Sequence, residues 1–322
     1  MSHDHGAARM SVVALSGIGE VGPGDDLAGL VLAASAADAD GPLRDGDIVV
    51  VTSKIVSKSE DRAVPAPERT AQILAEGVHT LARRGPTRIV RTRTGLTLAG
   101  AGVDNSNVDP AQVLLLPVDP DASARRLRDD LQVRTGARLG VVVSDTLGRA
   151  WRMGQTDTAI GAAGVRVIEA YAGRRDGYGN DLQVTAVALA DELAAAADLV
   201  KGKLAGRPVA IVRGLAHLLI DEPVGARDVV REPSTDMFGY GAQEAVLAAV
   251  LAATGQPQRY EELIGLDPPA RADAVLAGAP GLHPATADLV RGLLAVDLAA
   301  GRVSPAPEDR GGARGEASRG QH

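Results

Sequence analysis

Cysteine is absent from all 322 residues, which excludes a disulfide framework, a thiolate metal site and a cysteine nucleophile. Any metal must therefore be held by oxygen or histidine. Aromatic residues make up only 2%, so the core must be aliphatic and stacking sites for flat ligands are few. No stretch gives the roughly 20 apolar residues of a spanning helix, and the opening MSHDHGAARM lacks the apolar centre of a secretory signal. The expectation is a cytoplasmic protein with no membrane partner, its first ten residues frayed and His3 and His5 without a role. The charge balance of -7, with a pI near 5.4, argues against nucleic acid as a partner. No G-x-x-x-x-G-K-[ST] loop occurs, so any nucleoside triphosphate must be bound by another architecture.

What is present is 45% apolar content, enough for a sizeable core, arranged as short β-branched runs alternating with longer Ala/Leu-rich stretches. That alternation predicts an α/β protein of mixed α+β type. Asp47–Ser53 reads as a buried strand after the turn-like Arg44-Asp45-Gly46. Leu139–Ser144 reads as a second, ending at Asp145-Thr146-Leu147-Gly148-Arg149. Each delivers polar residues at its C-terminal end, where ligands of α/β sheets bind. Residues 184–204 read as a helix with Asp191 and Glu192 early and Lys201 and Lys203 late, as the helix dipole favours. Pro208–Arg213 reads as a further strand. Residues 11–230 are expected to form the main domain and 231–303 a helical extension that includes Ala242–Ala253. Residues 304–322, nearly free of apolar side chains, are expected to be disordered.

Five segments carry groups capable of chemistry. Gly17-Ile-Gly19-Glu-Val-Gly22 fits the letter of G-x-G-x-x-G, but Pro23-Gly24-Asp25-Asp26 follows where a helix should start, and two carboxylates would repel a pyrophosphate. It reads as a bland loop or as a nucleotide-contacting loop of another kind. Thr52–Lys58 sets hydroxyls and two lysines after a strand, suited to phosphate and equally to a solvated strand end. Asp104 and Asn107 share a glycine-approached turn, which Asx chemistry alone could explain. With Ser144-Asp145-Thr146 it offers two loops of oxygen ligands suited to Mg²⁺ or Mn²⁺. Residues 148–157 place Arg149 and Arg152 beside the only tryptophan, as carboxylate or phosphate clamps or as a structural Arg/Asp network with Trp151 in the core. Tyr171–Asn180 is a polar loop in which Tyr178 either stacks on a ring or marks a surface turn.

Taken in order, GPGDDL, DGDIVVVTSKIVSK, AGVDNSNV, VVVSDTLGRAWRMGQTD, YAGRRDGYGN and ADELAAAADLVKGKL resemble the coenzyme F420-0:L-glutamate ligase family in its actinobacterial form, over residues 11–214. The resemblance implies the family's own α/β fold and an intertwined homodimer. It also implies GTP contacts at Ile18, Gly19, Glu20, Val21, Ser53, Lys58 and Asn107, and divalent-metal ligands at Asp104, Asp145 and Thr146. Ile18-Gly19 stands where Leu-Pro or Ile-Pro is usual, and the nitroreductase-like domain of many actinobacterial relatives is not recognisable after Arg231.

The implied activity is GTP-dependent joining of L-glutamate to coenzyme F420-0 through an acyl phosphate, giving F420-1 and, by a second addition, F420-2. GDP and phosphate would be released, with Mg²⁺ or Mn²⁺ and often K⁺ as cofactors. Lys58, Arg149 and Arg152 are the candidate catalytic cations, there to stabilise charge on the transferring phosphoryl group. The alternatives are a metal-dependent phosphatase or nucleotidyltransferase, and a nucleotide-binding protein without turnover.

Overall fold

The computed structural model describes residues 9–183 and 185–295. The expected tail at 304–322 and residues 1–8 of the expected frayed N-terminus lie outside the described residues. The chain divides between Gly239 and Tyr240 into two compact units.

The first unit is built on a five-stranded sheet. Its strands are β1 (Ser11–Ala14), β2 (Ile48–Thr52), β3 (Gly140–Gly148), β4 (Gln155–Ala163) and β5 (Val209–Arg213), in the order β1-β5-β2-β3-β4. The β2–β3 pair is parallel, with Val49 opposite Val141 and Val51 opposite Val143; the other pairs are antiparallel. Ile48–Val51 of β2 are buried because both faces of the sheet are covered. Alternate residues serve different faces. Val49, Val51, Val141 and Val143 join one cluster with Val31 of α1 (Leu27–Ala37) and Leu127 and Leu131 of the long helix Pro120–Thr135. Ile48, Val50 and Val142 join a second cluster with Leu193 and Ala197 of the helix Leu189–Lys201.

Local chemistry sets the helix ends. Thr52 leads without an intervening loop into α2 (Ser53–Ser59), so Ser53-Lys-Ile-Val-Ser-Lys58 is helical and not the expected polar strand end. The helix α3 (Pro120–Thr135) starts with Asp119 accepting from Ala122 N at 2.9 Å and with Pro120 in its first turn, where no N–H is required. It stops at Gly136, whose φ of 70° is left-handed. The helix α4 (Leu189–Lys201) is shorter than the expected 184–204, because Ala186–Val187 pairs instead with Glu169–Ala170. Between α2 and α3 lies a smaller β-rich region, with strands 77–84, 87–92 and 97–99 in one sheet and 63–65 paired with 112–114.

The β3–β4 hairpin differs most from expectation. Asp145–Gly148 continue the strand and are not a loop, each paired with a residue of 155–158. Between the pairs Val143–Gly161 and Ser144–Ala159 the register shifts by one, leaving Ile160 as the extra residue of a bulge. The Ala159 amide at this bulge donates to Asp191 Oδ1 of α4 at 3.0 Å. Next to it, a Cβ on Gly161 would stand 2.3 Å from the Pro120 carbonyl oxygen, so α3 lies directly on β4. Gly161→Ala is expected to cost about 1–3 kcal/mol of stability, the range for overpacking a filled core. Chemical denaturation checks this, and an unchanged midpoint would contradict it.

The second unit is helical, with α5 (Ala242–Ala253), α6 (Tyr260–Leu263), α7 (Pro268–Ala277) and α8 (Pro284–Ala295) around Leu247, Leu251, Leu263, Ile264, Val275 and Leu294. The buried Gln256 Nε2 donates to Val275 O at 3.0 Å and Arg259 Nη1 to Ala274 O at 2.9 Å, tying the loop after α5 to the end of α7. Among the described residues no helix is long and apolar enough to cross a membrane.

Candidate active site

A cavity of about 480 Å³ opens where the C-terminal ends of β2 and β3 meet the loop after Gly17 and the segment following α4. Of the residues singled out from sequence, Ile18, Gly19, Glu20, Lys58, Asn107 and Thr146 line it. So do Lys54, Asp157, Asp198, Lys201, Lys203 and Arg207. In a chain of net charge -7, this lining sets five cationic side chains against the three carboxylates of Glu20, Asp157 and Asp198, a local excess of positive charge.

Each side chain is placed by its element. Ser53 opens α2, and its Oγ donates to Asp145 Oδ1 of β3 at 2.7 Å. One residue on, Lys54 Nζ is ion-paired with Asp104 and donates to Ser106 Oγ at 2.9 Å. Asp104 also accepts from Ser106 N at 2.9 Å and Ser106 Oγ at 2.8 Å. At the other end of α2, Lys58 Nζ is ion-paired with Glu20 and donates to the Asn107 carbonyl at 2.9 Å. The Asx turn expected at Asp104 thus exists, and it is clamped to α2.

Because side chains alternate along a strand, Ser144 and Thr146 share a face that Asp145 does not. Both hydroxyls on that face donate to Asp157, which sits opposite Thr146 on β4. Ser144 Oγ reaches Oδ2 and Thr146 Oγ1 reaches Oδ1, each at 2.8 Å. Lys201, in the last turn of α4, completes the cluster at 2.8 Å from Asp157 Oδ2 and 2.8 Å from Ser144 Oγ. The Lys201 and Asp157 side chains are only 5% and 4% exposed, so this ion pair is buried, with the Ser144 and Thr146 hydroxyls bonded to it.

The three carboxylates differ in charge state for physical reasons. Burial pushes Asp104 and Asp157 up, but in Asp104 the contacts to Lys54 and Ser106, and in Asp157 those to Lys201, Thr146 and Ser144, outweigh it and hold both below the ordinary range. Asp145 has too little compensation. Burial, with repulsion from Asp104 and Asp157, raises it to about 6 against the opposing effects of Ser53 and Lys54. The fold therefore favours protonated Asp145. Its stabilising contribution is present below the unfolded value near 3.8 and is lost as pH rises through about 6. In metal-free protein, the melting temperature of Asp145→Asn relative to wild type is expected to rise between about pH 4 and about pH 7.5. A constant difference over that window would show that burial does not set the Asp145 charge.

Other residues fall elsewhere. Val21 is buried beside the cavity's loop and does not line it. Arg149 and Arg152 are exposed at the tip of the β3–β4 hairpin and do not line the cavity; Arg149 Nη2 reaches only the Met153 carbonyl, at 3.4 Å. Trp151 is not in the core: it is 87% exposed, has a left-handed φ of 64°, and meets Phe238 edge to face with centroids 5.9 Å apart. Tyr178 is exposed on a turn closed by Asp176, which accepts from the backbone N–H of Tyr178 and of Asn180. Asp157 and Lys201 were not among the residues singled out. The signal available was a lysine ending an Ala/Leu-rich helix just before a glycine.

Comparison with known proteins fits this geometry. The profile of the family described as F420-0:Gamma-glutamyl ligase matches residues 17–214, which hold every residue lining the cavity. The chain belongs to this family. It is accordingly an enzyme of the ligase class, and the match stops short of the helical second unit. Among similar curated proteins is the coenzyme F420:L-glutamate ligase of Methanopyrus kandleri, 41% identical over 68% of this chain and 93% of that protein. That of Methanothermobacter thermautotrophicus is 40% identical over 71% and 98%, and that of Archaeoglobus fulgidus 35% identical over 64% and 88%.

Among the described residues no group of three or more His, Asp or Glu side chains is close enough to enclose a metal ion. Asp104 and Asp145 lie outside the cavity lining, and Asp145 points to the opposite face of β3 from Thr146. Thr146 lines the cavity with its hydroxyl proton given to Asp157.

Proposed function

We propose that this chain joins L-glutamate to coenzyme F420-0 in a GTP-driven amide ligation, forming F420-1 and, by a second round, F420-2. The observation that carries the proposal is a cavity with a lysine- and arginine-bearing lining suited to a polyphosphate, held entirely within the family-matched residues 17–214. Lys58, Lys203 and Arg207 line the cavity and would bind the phosphate chain, and the loop Ile18–Glu20 would contact the nucleotide. Asp104, Asp145 and Thr146 would hold Mg²⁺ or Mn²⁺, with K⁺ as a further ion. A bound divalent ion supplies charge neutralisation for phosphoryl transfer.

The terminal carboxylate of the F420-0 side chain attacks the γ-phosphorus of GTP, the bond to the β-phosphate oxygen breaks, and GDP leaves. The amine of glutamate then attacks the acyl phosphate. The C–N bond forms, the C–O bond to phosphate breaks, and the amine proton leaves with phosphate. The cationic lining stabilises charge on the transferring oxygens in a site walled by β2 and β3. Arg149 and Arg152, off the cavity in a single chain, enter this reading through the partner of an intertwined homodimer. The exposed apolar side chains of Trp151, Met153, Met237 and Phe238 support such pairing, since exposed apolar patches mark association surfaces.

The test is incubation with F420-0, GTP, L-glutamate and Mn²⁺ followed by mass spectrometry. A glutamylated product is expected, and its absence from folded, metal-loaded protein would overturn the proposal. Turnover with GTP is expected to exceed that with ATP at matched low concentrations; equal rates would remove the guanine preference and leave the ligation standing.

A further inference from the structure

Three carboxylates line the cavity, and two of them are committed within the protein. Glu20 is ion-paired with Lys58, and Asp157 is held by Lys201, Ser144 and Thr146. The third is Asp198, in the last turn of α4. Lys201 stands three residues on, where a helix ordinarily pairs a carboxylate with a lysine. Its Nζ turns instead to Asp157 Oδ2 and Ser144 Oγ, both at 2.8 Å. The half-buried Asp198 carboxylate is thus left, among the described residues, with no side-chain hydrogen bond and no ion pair.

Of the five cations in the lining, Lys54, Lys58 and Lys201 are paired with Asp104, Glu20 and Asp157. Lys203 and Arg207 have no such partner among the described residues, and Lys203 is near enough for its charge to act on Asp198. The cavity wall at the end of α4 therefore sets one uncommitted carboxylate beside the cations that would bind phosphate. An acyl phosphate held there must be reached by an amine that arrives as an ammonium ion. Lys203 and Arg207 repel that charge, and a protonated amine has no lone pair with which to attack.

We propose that Asp198 receives the α-ammonium of L-glutamate in this cavity and takes its first proton. The proposal rests on the ligase reading above and makes Asp198 a catalytic residue of the amide-forming step. One proton passes from the nitrogen to the Asp198 carboxylate, and the freed lone pair attacks the acyl carbon. The C–N bond forms, the C–O bond to phosphate breaks, and the second proton leaves with phosphate. No side-chain bond of Asp198 has to be given up for the ammonium to dock. Burial, with repulsion from Asp157 of β4, raises the Asp198 carboxyl above its ordinary range against the opposing effects of Lys201 and Lys203. It therefore holds a proton more firmly than a free carboxylate does, as a base for an amine requires.

Hydroxylamine separates this step from the one before it. Near neutral pH it is largely uncharged, so it arrives with its lone pair free and traps an acyl phosphate as the hydroxamate. Full-length wild type and Asp198→Asn are compared near neutral pH with F420-0, GTP and Mn²⁺, once with L-glutamate and once with hydroxylamine. Products are read by mass spectrometry and folding by melting curves. In the variant, kcat/KM for L-glutamate is expected to fall about 100-fold or more, the lower end of the range for a positioned base, while hydroxamate forms at the wild-type rate. An unchanged kcat/KM for L-glutamate would overturn the role. So would a hydroxamate rate that falls as far as glutamylation, since Asp198 would then serve GTP or the phosphoryl transfer. Wild type that forms neither product would instead remove the ligase reading, and the Asp198 role with it. If Asp198→Asn does not fold, Asp198→Ser carries the same comparison, with the same results expected and the same results decisive against it.

Discussion

Asp145→Asn is expected to lower ligase turnover by about 100-fold or more while leaving the metal-free protein at least as stable as wild type near neutral pH. The two effects have one cause. The Asp145 carboxylate is buried, among the described residues accepts a side-chain hydrogen bond only from the Ser53 hydroxyl at 2.7 Å, and is repelled by Asp104 and Asp157 more than Lys54 and Ser53 offset once burial is added, so its charge works against the fold. An amide has nearly the same shape, its oxygen can still accept from Ser53, and it removes the charge. What it cannot do is neutralise a divalent cation, whose contribution to phosphoryl transfer amounts to several kcal/mol. Turnover and thermal melting on the same preparation read both sides. Stabilisation by Mn²⁺ plus GTP should also shrink sharply in the variant, because a ligand stabilises only as it binds the folded state. Wild-type turnover with wild-type Mn²⁺ stabilisation would remove Asp145 as a metal ligand. A turn-cap or Arg149-pairing role would show as lost stability with turnover per folded molecule retained; the structure gives Asp145 a different partner, Ser53.

The largest effect on stability is expected at a residue away from the cavity. Asp121, in the first turn of α3, is 2% exposed and accepts from Ala162 N of β4 at 2.9 Å, Ala226 N at 2.7 Å and Arg227 Nε at 2.7 Å. One carboxylate therefore joins α3, the edge strand of the sheet and the segment after β5. Asp121→Ala would leave two buried amides without an acceptor, each costing about 1–3 kcal/mol, and would strip Arg227 of its closest partner. A loss of roughly 3–5 kcal/mol is expected, as when one partner of a buried charged network is removed. Asp121→Asn should lose much less, since its carbonyl oxygen can keep the two backbone bonds. Urea titration of both variants checks this, and similar midpoints for Ala and Asn would mean that the charge and not the amide contacts matters.

The two predictions differ in how far sequence alone could reach them. Asp145 stands at the end of a β-branched run and within a family motif, so it was visible as chemistry. Asp121 sits in a sequence that reads as an ordinary helix start, Asp119-Pro120-Asp121, and its partners lie 41 and 105 residues away. Local pattern carries helix starts and buried strands, but not which distant amide a carboxylate will meet.

The sequence by itself determined the mixed α/β character, the aliphatic core and the strands β2 and β5, because a strand buried on both faces must be a continuous apolar run. It also marked the Thr52–Lys58, Asp104–Asn107 and Ser144–Thr146 segments, because strands end in polar groups where sites form. Only the tertiary structure decided that Thr52–Lys58 turns into a helix and that Asp145–Gly148 stay in the sheet, since β4 pairs with them outside the apolar core. It likewise put Trp151 on the surface and turned Lys201, read from sequence as a helix-dipole cation, into the partner of Asp157 across 44 residues. Periodicity is written locally by burial, whereas the partner of a buried charge is set by which elements the sheet order brings face to face.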